Sequence, residues 1–186
     1  MICIIDCGSE EISNFSKILD ELKTSNKIIK LNELNESLIN DFSGIIISGA
    51  PILLTKIDKQ KYLDKFKFIK EINVPILGIC FGHQIIGLLF GSEIYLGEEV
   101  RSEEQIEIVN KDIIFSGLEN RSLFQEDHCE FIALPKEFVL LAKSHTCNNE
   151  AMKHTTKKIY GLQFHPEASG LNGKIILKNF AKICGK

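Results

Sequence analysis

Short runs of apolar, mostly β-branched residues alternate along the first ninety residues with segments of helical periodicity. Two of these runs, Gly44 to Ser48 and Val74 to Ile79, are apolar at almost every position, which is typical of strands covered on both faces. Between them, Tyr62, Phe66 and Ile69 share one face of a helix. This alternation predicts an α/β fold, with a mostly parallel central sheet and helices on both of its faces.

The same patterns place further elements along the chain. Strands are expected at 2–5 and 27–31, and helices around 15–22, 84–90 and 176–183. Between residues 93 and 163 the alternation gives way to strand-like segments separated by polar turns. We interpret these as a small antiparallel addition together with the last strands of the sheet; they are 93–96, 104–109, 138–143 and 159–164. No repeat or linker-like stretch interrupts the 186 residues, so a single domain spanning 1–186 is expected.

Composition excludes several classes of protein. The chain is 44% hydrophobic and 25% charged, as globular proteins are, and its net charge of −3 lacks the basic footprint of a nucleic-acid-binding protein. Its apolar runs fall short of the roughly 20 residues that span a membrane, and the N-terminus does not resemble a signal peptide. We therefore expect a cytoplasmic protein whose six cysteines are thiols. Neither the cysteines nor His83, His145 and His154 have a spacing typical of a metal site, so no metal is expected.

The strongest chemical signal is a buried strand that runs through Gly78-Ile79-Cys80-Phe81-Gly82 directly into a helix. Gly-x-Cys-x-Gly at such a junction has the form of a nucleophile elbow in which cysteine replaces serine. The two glycines leave room for a sharp turn that exposes the central side chain. Because Cys80 would lie at a helix N-terminus, the helix dipole would favour its thiolate. This pattern predicts a cysteine nucleophile.

A thiolate nucleophile needs a base, and the base needs a group that orients it. The segment ending in His165-Pro166-Glu167 offers both, since two residues that are two apart in an extended chain point the same way. Glu167 can then hold the ring of His165 in one tautomer. The turn Ser48-Gly49-Ala50-Pro51 follows the third strand, where its backbone N–H groups, together with that of Phe81, could form an oxyanion hole. All three elements follow strands, and sites in parallel α/β sheets form where strands end.

Taken together, these segments resemble the class I glutamine amidotransferases, which have a flavodoxin-like α/β fold. The resemblance covers essentially the whole chain, and within the class the chain is most similar to the stand-alone glutaminase subunit of archaeal-type GMP synthases. The looser similarities to that subfamily lie in Glu150-Ala151-Met152-Lys153-His154, in Ile159-Tyr160-Gly161 and in the C-terminal helix.

The resemblance implies an enzyme that releases ammonia from glutamine. It implies catalysis by Cys80, His165 and Glu167, and an oxyanion hole formed by the N–H groups of Ala50 and Phe81. The substrate-contacting positions that it implies are Gly49, Gln84, Asp127, His128 and Cys129. It further implies a separate ATP-pyrophosphatase subunit, which uses the ammonia to convert XMP to GMP. ATP and magnesium would then belong to that partner, and no cofactor to this chain.

Several positions depart from the family pattern, among them Asp127 and the residues Ala168-Ser169-Gly170 after Glu167, and three of the departures lie in loops expected at the mouth of the pocket. Glu10 replaces a common glutamine, Glu130 ends a segment that matches Ser-His-x-Asp, and Ala50 replaces the second glycine of Gly-Gly-Pro. Alanine would be strained at position 50 if the backbone there needs a positive φ. The loops expected to form the mouth of the pocket are 7–11, 49–55, 127–130 and 165–170.

Three other functions fit the same residues. The chain could serve another amidotransferase, such as anthranilate or aminodeoxychorismate synthase, because the triad does not distinguish the acceptor. It could be a catalytically weak regulatory subunit, which the changes at Ala50 and 127–130 would favour. It could also be an unrelated cysteine hydrolase that acts on γ-glutamyl compounds. A glutaminase assay and the identity of the partner separate these alternatives.

Overall fold

The computed structural model describes residues 1–35, 39 and 41–186. Its strands are β1 (Ile2–Asp6), β2 (Asn26–Lys30), β3 (Gly44–Ile47), β4 (Ile76–Ile79), β5 (Ile94–Val100), β6 (Glu103–Ile108), β7 (Ser122–Gln125), β8 (His128–Ile132), β9 (Phe138–Lys143), β10 (Ala151–His154) and β11 (Ile159–Leu162). Its α-helices are α1 (Ile12–Glu21), α2 (Gln60–Phe66), α3 (Phe81–Leu89) and α4 (Gly170–Ile183).

The central sheet of the described residues has nine strands in the order β2-β1-β3-β4-β11-β10-β9-β6-β7. The five strands from β2 to β11 are parallel, and the other four continue the sheet in antiparallel pairs. Strands β5 and β8 form a separate antiparallel pair. The predicted fold class, a mostly parallel sheet with a small antiparallel addition, is confirmed.

Alternate residues of the parallel strands contribute to two hydrophobic cores, one on each face of the sheet. Ile4, Ile46 and Leu77 lie in a core with Phe15 of α1 and Phe180 of α4. The opposite face packs against α2 and α3 through the intervening strand residues, among them Ile5, Ile45, Ile47 and Ile76. Burying one such isoleucine side chain contributes about 1.5–3 kcal/mol. The continuous apolar runs of these strands are therefore explained by a sheet that is covered on both faces.

The predicted elements of the parallel half are present with small shifts of their ends. Strand β4 begins at Ile76 rather than Val74, and α3 begins at Phe81, earlier than the predicted helix. Strands β7, β8 and β10 were not predicted. They lie in the antiparallel half, where polar residues alternate with buried ones, as in Ser122–Gln125, and the apolar signal of a strand is correspondingly weak. No helix among the described residues has the length and apolar character needed to cross a bilayer.

Candidate active site

Strand β4 is flanked by β3 on one side and β11 on the other, and all three are parallel. Their carboxyl ends therefore open at one edge of the sheet, and Cys80, the Gly49–Ala50 turn and His165 follow them at that edge. The Cys80 N–H donates to the Leu162 carbonyl at 2.8 Å, which extends the pairing of β4 with β11 by one step. This strand order brings the three sequence motifs together.

Cys80 lies in a strained turn, as the nucleophile-elbow interpretation predicted. Its φ is 48° and its ψ is −101°, a conformation that costs a non-glycine residue about 1–3 kcal/mol. The flanking glycines permit the turn because a Cβ on Gly78 would lie 2.6 Å from the Gly82 backbone, and one on Gly82 would lie 2.6 Å from the Ile47 carbonyl oxygen. The thiol lies at the N-terminus of α3, and 7% of Cys80 is exposed.

His165 and Glu167 are joined by a hydrogen bond of 2.8 Å between Nδ1 of the ring and Oε1 of the carboxylate. The contact is present, but the geometric reason given for it from the sequence is wrong. Glu167 does not lie in an extended segment, because Pro166–Ala168 forms a 3₁₀ turn that folds the carboxylate back onto the ring. The Ser169 hydroxyl supports this turn by donating to the His165 carbonyl at 2.6 Å. Glu167 itself is buried, with 4% of its surface exposed.

The other ring nitrogen of His165, Nε2, is buried and makes no hydrogen bond of normal geometry with a described residue. Burial by itself lowers the pKa of His165, but hydrogen bonding and charge from Cys80 and Glu167 outweigh it and raise that pKa well above its ordinary value. A raised pKa makes the ring a stronger acceptor for the thiol proton. Catalytic hydrogen bonds are often long before substrate binds, so a loose contact between Cys80 and Nε2 is compatible with this role.

The predicted oxyanion-hole residues lie on either side of the thiol. Phe81 is the first residue of α3, where a backbone N–H has no acceptor within the helix. On the other side, a Cβ on Gly49 would lie 3.0 Å from Cε1 of His165 and 3.8 Å from Cβ of Cys80, so the Gly49–Ala50 turn packs directly on both. The strain suggested for Ala50 is absent, because Ala50 is not among the described residues with positive φ.

The segment 126–130 forms the opposite wall, and it contributes backbone as well as side chains. The Cys80 thiol donates to the Asp127 carbonyl at 3.8 Å. The Asp127 carboxylate instead turns outward to Arg101 at 3.0 Å, an exposed pair worth little in stability. The Glu130 carboxylate accepts the backbone N–H groups of Leu54 and Thr55 at 2.8 and 2.7 Å. Glu130 therefore ties the loop after β3 to strand β8.

These walls enclose a cleft of about 700 Å³, within the range of small-molecule sites. Phe81 and Glu167 lie behind the cleft. The other residues that were predicted to form the site all line it, and they are Gly49, Ala50, Cys80, Gln84, Asp127, His128, Cys129 and His165. Glu10 and Glu130 also line the cleft, and so do Glu99 and Arg101, which were not predicted. The mouth is formed from the predicted loops and from strand β5.

Two glutamines form the floor of the site. The Gln163 amide donates to the Cys80 sulfur at 3.5 Å, and its oxygen accepts from Gln84 at 3.4 Å. Gln84, predicted to contact substrate, also donates to the Glu130 carbonyl at 3.1 Å, so its nitrogen is already occupied. Gln163 was missed by the sequence analysis, because it lies in the bend between the end of β11 and His165, where strand alternation does not apply.

The comparisons with known proteins agree with this geometry. Residues 3–184 match the family profile described as glutamine amidotransferase class-I. The chain belongs to this family. Family membership makes it a glutamine amidotransferase, and therefore an enzyme.

Several relatives of this amidotransferase match it over their full length. A protein of Pyrococcus furiosus bears the name of a glutamine-hydrolyzing GMP synthase subunit; it is 43% identical and matches over 100% of both chains. A protein of the same name from Methanopyrus kandleri is 35% identical, again over 100% of both chains. For the solved structure of a candidate GMP synthase subunit from Thermoplasma acidophilum, the TM-score is 0.91 at 30% identity, over 99% of this chain and 93% of that one.

A more distant amidotransferase shares the fold alone. The structure of a glutamine amidotransferase from Thermotoga maritima has a TM-score of 0.75 at 23% identity, covering 90% of this chain and 76% of that one. The fold is therefore shared with an amidotransferase whose sequence is only 23% identical.

Proposed function

We propose that this chain is the glutaminase subunit of a two-subunit GMP synthase. One observation supports the chemistry. Cys80, in a strained turn, lines the same cleft as His165, and the Nδ1 atom of His165 is hydrogen-bonded to the buried Glu167 carboxylate. The choice of GMP synthase among amidotransferases is supported by the full-length relatives of that name.

In the proposed reaction, Cys80 attacks the side-chain amide carbon of glutamine. His165 takes the thiol proton through Nε2, while Glu167 holds Nδ1 and stabilises the imidazolium that forms. The N–H groups of Ala50 and Phe81 bind the oxyanion of the tetrahedral intermediate. The imidazolium then gives its proton to the departing nitrogen, so that ammonia leaves and a γ-glutamyl thioester remains on Cys80.

Water completes the cycle by attacking the thioester carbon. His165 takes a proton from this water, and the second intermediate collapses to glutamate and a free Cys80 thiol. The same ring thus acts as base and as acid in each half of the reaction. The Gln163 amide and the Asp127 carbonyl bracket the sulfur, and they fix its direction in both halves.

The cleft has the size and charge for an amino-acid substrate. Its acidic side chains, including Glu10, suit the α-ammonium group of glutamine, and Arg101 offers a partner for the α-carboxylate. Asp127, His128 and Cys129 close the side opposite the Gly49–Ala50 turn. We assign substrate contact to these residues and to Gln84.

The partner in this proposal is an ATP-pyrophosphatase subunit that binds ATP, magnesium and XMP. Ammonia released into bulk water is mostly protonated and lost as a nucleophile, so glutamine hydrolysis is useful only when an acceptor site covers the mouth. We therefore expect the isolated chain to be a poor glutaminase that its partner activates, a gating step of the kind that sets many turnover rates.

The test is glutamate release by this chain alone, with a GMP synthase ATP-pyrophosphatase subunit, and with that subunit plus ATP and XMP. We expect the rate to rise at each addition, with GMP formed in step with glutamate in the complete mixture. Equal rates in the three mixtures would rule out gating. Activation by an anthranilate or aminodeoxychorismate synthase subunit instead would overturn the assignment to GMP synthase.

A further inference from the structure

A cluster of buried titratable side chains lies behind the cleft and has no part in the mechanism above. Glu126 and Glu150 are both 0% exposed, and His83 and His128 lie with them in the interior. The carboxylate oxygens of both glutamates and the ring nitrogens of both histidines make no hydrogen bond of normal geometry with a described residue. A buried polar group without a partner costs about 1–3 kcal/mol, so this many in one place calls for an explanation.

The two glutamates are each one backbone step from the reacting groups. Glu126 lies between Gln125 and Asp127. The Gln125 carbonyl accepts the backbone N–H of His165 at 2.9 Å, and the Asp127 carbonyl accepts from the Cys80 thiol at 3.8 Å. The Glu150 carbonyl accepts the backbone N–H of Gln163 at 2.8 Å, and the Gln163 side chain in turn donates to the Cys80 sulfur. A shift of either glutamate would therefore move a group that touches the thiol.

The chemistry of the cluster favours a shared proton. The Glu126 and Glu150 side chains interact directly with each other. An ionised carboxylate only accepts hydrogen bonds, so these two carboxyl groups can bond only if one of them carries a proton. Oε2 of Glu126 lies 3.1 Å from Nε2 of His128, although not in hydrogen-bond geometry. A metal ion is a poor alternative, since no three His, Cys, Asp or Glu side chains in the described part of the chain are arranged to hold one.

We propose that Glu126 and Glu150 are positioning residues that share one proton beside His128, and so hold the Asp127 carbonyl and the Gln163 amide against the Cys80 thiol. The inference rests on the proposed glutaminase activity for its functional consequence. With one proton present, Glu150 donates to Glu126 and the two backbones stay close. When the proton is lost, two buried anions repel each other and displace the groups that bracket the sulfur.

The pKa values of the cluster agree with this arrangement. Burial raises the pKa of Glu126 to about 8, and burial and the charge of Glu126 raise that of Glu150 well above its ordinary value. Burial lowers the pKa of His128, so its ring is neutral when the carboxyl pair holds its proton. The other titratable groups that act on the pair or on His128 are Glu104, Asp127, His165, Cys147 and His83. Because both carboxyl pKa values are raised, the pair holds at least one proton at neutral pH and loses it as pH rises.

The decisive experiment compares pH profiles of kcat for the complex of this chain with its partner. In the wild type, kcat should fall on the alkaline side as the pair loses its proton. Glu150→Gln replaces the protonated carboxyl by a neutral amide that can still donate to Glu126. The pH at which kcat falls on the alkaline side should therefore rise by about one pH unit or more. Glu150→Ala should lower kcat at every pH, because a displacement of about 1 Å near the chemistry can cost about 100-fold.

Glu137→Gln is the matched control, since the exposed Glu137 carboxylate also faces a histidine, with Oε2 3.7 Å from Nε2 of His154. It should leave the profile unchanged. An alkaline fall at the same pH in wild type and Glu150→Gln would overturn the proposal. If the wild type proves inactive with every partner, the proposed function fails, and the pH dependence of Cys80 alkylation takes the place of kcat.

Infrared spectroscopy gives a readout independent of activity. The wild type at neutral pH should show the carbonyl band of a protonated carboxyl group, and Glu150→Gln should lack it. A wild-type spectrum without this band would overturn the shared proton even if every variant were fully folded.

Discussion

The two walls of the cleft hold their groups by different physical means. On the wall from the parallel strands, the backbone places Cys80 and the Gly49–Ala50 turn. The register of β3 and β4 sets their positions, Cys80 has a positive φ, and the glycines on either side of it pack too closely against neighbouring backbone to tolerate a Cβ. On the wall from the antiparallel flank, position depends on buried charge. There Glu130 accepts two backbone N–H groups, and Glu126 and Glu150 lie in the interior without a hydrogen bond of normal geometry to a described residue.

The difference teaches which kind of change each wall tolerates. Backbone placement does not depend on pH and fails only when the chain cannot adopt the turn. Placement by buried charge responds to protonation and to single-atom changes in a side chain, because an unpaired buried group costs so much. Substitutions on the parallel wall should therefore remove chemistry, and those on the flank should weaken binding or positioning by smaller factors.

The largest effect is expected from Cys80→Ala, which removes the nucleophile from the parallel wall. Glutamine-dependent GMP formation by the complex should fall by about four orders of magnitude or more. Ammonia-dependent formation should continue, because only the thiol step lies in this chain. Cys184→Ala, at a buried cysteine that follows α4 and lies outside the cleft, is the control and should keep most of the glutamine-dependent rate. Appreciable glutamine-driven product from Cys80→Ala would refute the nucleophile assignment.

Glu167→Gln should have the next largest effect. The amide cannot stabilise the imidazolium and favours the wrong tautomer of His165, a defect that costs about 10³–10⁴-fold in related triads. Steady-state kinetics should show the loss in kcat, with KM little changed. Glu137→Gln makes the same change beside a different histidine and should be neutral. If KM rises instead while kcat stays constant, Glu167 serves in binding.

Ala50→Pro tests the oxyanion hole from the other side of the thiol. Proline deletes the N–H, and the loss of one such donor typically costs about 10²–10³-fold in kcat. Ala50→Gly keeps the donor and should retain activity without raising it, since the backbone at position 50 has no positive φ for glycine to relieve. Near-normal turnover in the proline variant would place the oxyanion donor elsewhere.

The smallest effect is expected on the flank, from Glu130→Gln. The amide keeps only one oxygen, so either the Leu54 N–H or the Thr55 N–H loses its acceptor. The free energy of unfolding of the protein should fall by about 1–3 kcal/mol as a result. The loosened loop should raise KM several-fold while kcat changes less. Glu98→Gln, on the exposed part of β5, is the control. A fall in kcat as large as that of Ala50→Pro, with KM unchanged, would contradict the division between the walls.

The sequence predicted the parallel wall better than the flank. Cys80, Ala50 and His165 follow apolar strands with an unambiguous pattern, and the glycines around Cys80 indicate the turn directly. The contact between His165 and Glu167 was predicted for the wrong reason, because a 3₁₀ turn rather than an extended chain brings them together. Glu126 and Glu150 were missed, since a glutamate in a half-polar strand is indistinguishable by pattern from a solvated one. Their burial depends on Glu126 and Glu150 meeting in the fold although they are far apart in the sequence, which is long-range information.

The central claim is that Cys80 forms the covalent bond to the γ-glutamyl group. The most direct measurement labels the complex with a chloroketone analogue of glutamine, in which the reactive carbon replaces the side-chain amide, and maps the label by mass spectrometry. We predict one equivalent of label on Cys80, protection by glutamine, and loss of glutamine-dependent but not ammonia-dependent GMP formation. Label on Cys129 or another cysteine, or full glutamine-dependent activity after Cys80 is labelled, would contradict the account.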